Sequence, residues 1–142
     1  MSVLLSGTAL IMANTNSLLS LDKIINDFGW EKRIILLIAD REDTNLIDGV
    51  ESFFAESECQ NKNRNLVLHK IVGDEITKYS MPKRYEGKRG IWLIGYDGDD
   101  KAYSRDLSLP NRVYKIIGEM PITQNEMLHQ DTRCDQNLKI IV

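Results

Sequence analysis

Residues 90–121 read GIWLIGYDGDDKAYSRDLSLPNRVYKIIGEMP. The segment 90–96 carries the unbroken apolar run Ile91-Trp92-Leu93-Ile94, of strand length, and Asp97-Gly98 supplies the positive φ of a hairpin turn. Residues 101–105 are therefore expected to return antiparallel beside it. Pro110 suits the first turn of a helix whose buried face is Val113, Ile116, Ile117 and Met120, and Pro121 is expected to end that helix.

Upstream, residues 33–40 (RIILLIAD) form a continuous apolar run ending in a charge, the pattern of a central strand buried on both faces. Over residues 44–57, Leu46, Ile47, Val50, Phe53 and Phe54 fall on one stripe of a helix, which Asp43 or Thr44 can cap. A polar loop at 60–65 leads to a second strand, LVLHKIV at 66–72. Strand, helix and strand in this order predict a parallel βαβ unit with a right-handed crossover. Before it, Leu18, Leu21, Ile24, Ile25 and Phe28 have the spacing of a short amphipathic helix closed by Gly29. After it, Met81-Pro82 marks a break followed by a basic segment. At the far end, the apolar residues 138–142 read as a last short strand or an ordered arm.

The chain has 142 residues, 42% of them hydrophobic. That fits one domain over residues 17–130 with a tail at 131–142, burying roughly two-thirds of its unfolded surface. A net charge of -3 argues against a dedicated nucleic-acid binder. No run reaches the roughly 20 apolar residues of a membrane span. Residues 3–13 (VLLSGTALIMA), followed by polar residues 14–17, resemble the apolar core of a signal peptide cleaved after Ala13, which would make the protein periplasmic or secreted. No Lys or Arg precedes that run and Ile11 is not small, so an N-terminal strand in a cytoplasmic protein is the competing reading. The two cysteines, Cys59 and Cys134, are too far apart for a CxxC centre and too few for a zinc site. If they pair, the bond closes a long loop and stabilises by about 4 kcal/mol in the chain-entropy model. Otherwise they are two separate thiols.

A βαβ unit followed by a β-hairpin and a packing helix is the element order of the thioredoxin-like fold. Trp30 and Arg33 precede the first strand, and Arg84 and Tyr85 precede the third. Leu93-Ile94-Gly95-x-Asp97-Gly98-x-x-Lys101, Met120-Pro121 and Glu126-Met127 follow in order. Together these resemble the family catalogued as domain of unknown function 4174, found in bacterial, mostly exported, proteins and related to domains of vertebrate sushi-repeat matrix proteins. The chain departs from that pattern at Tyr96, where the family has a basic residue, at Asp99-Asp100, where it has small ones, and at Ile122-Thr123. The resemblance implies a mixed central sheet flanked by helices, peroxiredoxin-like in topology, with no established activity and no cofactor.

A thioredoxin-like enzyme places its nucleophilic cysteine just after the first central strand, at a helix N-terminus. Here that place is residues 40–45 (DREDTN), without a thiol. The expected function is therefore an exported binding or interaction module. A peroxiredoxin-like oxidoreductase with an atypical thiol is the alternative. Asp40-x-Glu42-x-Thr44 also resembles the nucleophile loop of metal-dependent phosphotransferases, with Asp99 and Asp100 as distant ligands, which makes a phosphohydrolase the third reading. Lys83, Arg84, Lys88 and Arg89 form a basic cluster. Lys101 and Arg105 alternate along the returning strand and are expected to point the same way, joining Arg84 in a cationic patch near Asp40. The candidate ligand-binding set is accordingly Asp40, Arg84, Tyr85, Asp97, Lys101 and Arg105, at the carboxyl end of the sheet, for a protein or an anionic, extracellular-polymer partner. Trp92 reads as core, and His69 and His129 as isolated packing or surface residues.

Overall fold

The computed structural model describes residues 18–126 and residue 134. The expected signal segment, His129 and the apolar end at 138–142 lie outside them.

In chain order the elements are β1 (Leu19–Ser20), α1 (Leu21–Asp27), β2 (Arg33–Ala39), α2 (Thr44–Glu56), α3 (Glu58–Asn63), β3 (Leu66–Val72), a 3-10 turn (Gly73–Lys78), β4 (Tyr79–Ser80), β5 (Gly90–Ile94), β6 (Asp100–Ser104), α4 (Ser108–Gly118) and α5 (Pro121–Glu126). The fold is α/β. Its main sheet has the order β3-β2-β5-β6, with β2 parallel to β3 and antiparallel to β5, and β6 antiparallel to β5. β1 and β4 form a separate parallel pair. The three apolar runs are thus neighbouring strands, and the hairpin returns as its turn residues predict, with Gly98 at φ +82°.

Every residue of β2 is buried, as its unbroken apolar run requires of a strand covered on both faces. Ile35, Leu37 and Ala39 meet Val50 of α2 and Leu109, Val113 and Ile117 of α4. Ile34, Leu36 and Ile38 point the other way, toward Leu21 and Ile25 of α1, Tyr85 and Trp92. Trp92 is core, in ring contact with Tyr85 at 5.1 Å and Tyr103 at 4.7 Å.

Three local expectations are corrected. The polar stretch after α2 is helical as far as Asn63: Glu58 and Lys62 pair at i,i+4, and the helix turns Asn61 inward to accept from Tyr114. Pro121 does not close α4, which ends at Gly118; it opens α5, where its missing N–H costs nothing. Asp43 stands at the start of α2 without a side-chain cap bond, because its carboxylate accepts from the Asp40 N–H at 3.1 Å instead.

Candidate functional site

The two ends of β2 carry different sites. At its carboxyl end, where a thioredoxin-like enzyme would keep its thiol, an open polar cleft of about 340 Å³ is lined by residues 42–46 together with Arg89, Gly90 and Arg105. Arg89 Nε donates to Asp40 Oδ1 at 2.9 Å, an exposed pair. Arg105 makes no hydrogen bond or ion pair among the described residues.

The candidate cations do not gather there. Lys101 sits near the start of β6 and Arg105 just past its end, and Arg84 lies with the hairpin turn, 3.7 Å from Asp22 and 3.8 Å from Asp100. Strict alternation fails because β6 carries a bulge: Leu93 pairs with Ala102 but Ile94 pairs with Asp100, so Lys101 is the extra residue. Released from the alternation, Lys101 lies across Gly95, where an added Cβ would come within 2.5 Å of its Cε, and its Nζ donates to Asp97 Oδ2 at 2.7 Å. That bond, then the Asp99 N–H, holds the Asp97 carboxyl below its ordinary value. Tyr85 is core rather than ligand-facing; its hydroxyl donates to Asp100, and burial followed by that bond raises its pKa. Asp99 and Asp100 belong to the hairpin end and do not join Asp40 and Glu42. Among the described residues no three acidic, His or Cys side chains are grouped to hold a metal ion.

The amino end of β2 is built around a buried charge. Arg33, fully buried, donates through Nη1 to Arg64 O at 2.7 Å and to the Tyr96 hydroxyl at 3.2 Å. Its Nη2 reaches Thr123 Oγ1 at 2.8 Å and Glu126 Oε1 at 2.7 Å on α5. The guanidinium carbon lies 4.2 Å from the Tyr96 ring centroid, a cation–π contact. Tyr96 accepts from Asn65 at 3.0 Å and donates to Glu126, so its hydroxyl is saturated. Burial, then the bond to Glu126, raises its pKa and keeps it a neutral donor.

Over this node runs a groove of about 440 Å³, lined by Trp30, Tyr96 and Lys101 together with Met120, Pro121 and Ile122. Trp30 is 70% exposed and Ile122 43%. Trp30 also holds φ at +64°, a region that bulky residues occupy at a cost of roughly 1–2 kcal/mol. Its backbone N–H donates to the Tyr96 carbonyl at 2.9 Å, holding the main chain in that conformation beside the groove. Of the six candidate residues only Asp97 and Lys101 line this groove. Trp30, Arg33, Met120 and Pro121 carried the family resemblance without being read as a site, and Tyr96 and Ile122 were seen only as departures from it.

The cysteines are paired: Cys59 on α3 and Cys134 form a disulfide with their Cα atoms 5.8 Å apart. No described helix is long and apolar enough to cross a membrane. No protein-family model, curated protein or solved structure matches the chain.

Proposed function

We propose that the chain is a thioredoxin-like domain, similar to the domain of unknown function 4174 family, that works outside the cytoplasm as a binding module and takes an apolar segment of a protein partner in the hairpin-end groove. One observation carries the site: Trp30, Arg33, Gly95, Asp97, Lys101, Met120 and Pro121, seven of the residues behind the resemblance, come from separate segments yet line one groove. Its size and largely apolar wall, with one Lys–Asp pair at the rim, suit a side chain or two of an extended peptide. The strand order, with the first two strands parallel and the hairpin antiparallel, supports the thioredoxin-like reading. The disulfide supports an oxidising compartment. It also engages both cysteines away from residues 40–45, which favours binding over redox turnover.

The test is selection of peptides from a random library on the purified protein. Recovered peptides should bind the wild type and lose at least tenfold in affinity with Trp30→Ala, while Arg84→Glu with Arg105→Glu leaves them unchanged. Peptides indifferent to Trp30→Ala, or retention on a polyanion column abolished by the arginine reversals, would move the site off the groove. Insulin reduction or peroxide consumption above a Cys59→Ser, Cys134→Ser control would restore the oxidoreductase reading.

A further inference from the structure

Arg33 and the disulfide join the same two parts of the molecule. On one side is α3, which carries Cys59 and is followed by Arg64, whose carbonyl accepts from Arg33. On the other is α5, whose Thr123 and Glu126 accept from Arg33 and whose Pro121 and Ile122 form a wall of the groove. Cys134 follows α5 in the chain and is bonded back to α3. Among the described residues the polar attachment of α5 to the sheet runs through the Arg33 guanidinium and the Tyr96 hydroxyl, and the covalent tie holds Cys134, which follows α5 in the chain, beside α3, raising the effective concentration of α5 at Arg33.

We propose that the Cys59–Cys134 disulfide is a redox lock on the groove: while it is closed, α5 stays clamped on Arg33, and its reduction releases α5, removes the Pro121–Ile122 wall and uncovers Arg33. Cys59 lies on an exposed position of α3 while Cys134 is buried, so attack is open at the Cys59 sulfur, and accessible disulfides are the labile ones. A dithiol supplies the reaction. One of its thiolates attacks the exposed Cys59 sulfur and displaces Cys134 as a thiolate, which takes up the proton that the dithiol gave up. The second dithiol sulfur then closes on the first, so the reagent leaves as a cyclic disulfide and Cys59 and Cys134 each keep one proton. Arg33 drives the response, because a buried cation whose carboxylate partner is loosened gains by moving toward water. What the groove receives rests on the binding reading above; the lock itself is read on Arg33 and α5 without any ligand.

The experiment compares the intact chain oxidised, reduced by dithiothreitol, and as Cys59→Ser, Cys134→Ser. Two readouts are followed: labelling of Arg33 by an arginine-specific dicarbonyl, mapped by peptide mass, and amide hydrogen exchange. The expected result is at least a tenfold rise in Arg33 labelling and in exchange across residues 121–126 in both thiol forms, with the amides of β2 and β5 still protected. Unchanged Arg33 labelling overturns the lock. So does loss of β2 and β5 protection along with α5, which would make the disulfide a general staple. Peptide binding that depends on Trp30 in a protein whose Arg33 ignores reduction would sink the lock and spare the binding reading; the opposite pairing would do the reverse.

Discussion

β2 is bracketed by two charges, Arg33 at its start and Asp40 just past its end, and the fold treats them in opposite ways. Arg33 is fully buried and holds four hydrogen-bond acceptors drawn from the α3 end, the hairpin and α5. Asp40 is exposed and meets one guanidinium across the mouth of an open cleft. A charge removed from water must be matched at nearly every donor, so its neighbours become fixed; one left in water needs no partner and fixes little. The amino end of the sheet is therefore a rigid node beneath an apolar groove, and the carboxyl end a loose rim of screened pairs.

The largest effect that would break this contrast comes from Arg33→Ala. Losing the guanidinium leaves Glu126, Tyr96 and Thr123 facing an empty site, and denaturant unfolding should show a loss of about 3–5 kcal/mol. A loss below about 1 kcal/mol would mean that the node is not what holds α5. Tyr96→Phe comes next, since it keeps the ring under Arg33 but removes a hydroxyl with three partners; about 1–2 kcal/mol should go in the same assay. Arg89→Ala, at the other end, should stay within about 0–1 kcal/mol of wild type, because the pair it breaks is exposed. A cost matching that of Tyr96→Phe would erase the difference between the two ends.

The smallest effect sharpens the picture through pH. With its native pKa depressed, Asp97 contributes stability above its unfolded pKa, and that contribution disappears as pH falls through the lower, folded value. The carboxyl resonance of Asp97 should titrate below the usual aspartate range in the wild type and return toward it in Lys101→Met. An unshifted resonance in that variant would show that Lys101 is not the cause.

The sheet was legible because burial on both faces writes itself as uninterrupted apolar runs, and Ile34 to Ile38 or Ile91 to Ile94 have few other uses. The hairpin was legible from Asp97-Gly98 for the same kind of reason. What escaped was set by tertiary contact. Arg33, at the edge of an apolar run, has the pattern of a solvated strand end, and only Thr123 and Glu126, far along the chain, make it a buried one. Helix α3 was hidden by composition: its six residues are polar apart from Cys59, and the signal that could have found it was the Glu58–Lys62 spacing. Candidate sites were judged by charge, which favoured Arg84 and Arg105 over Trp30, which is apolar and exposed.

The bulge at Lys101 separates what the sheet needs from what lines the groove. The ladder between β5 and β6 needs Asp100 and Ala102 but not the residue between them. Deleting Lys101 would leave a regular two-stranded pairing and the same turn, while erasing the one ammonium that lines the groove among the described residues. A one-residue insertion in an edge strand is thus enough to place or withdraw a charge at the groove without changing the ladder beneath it.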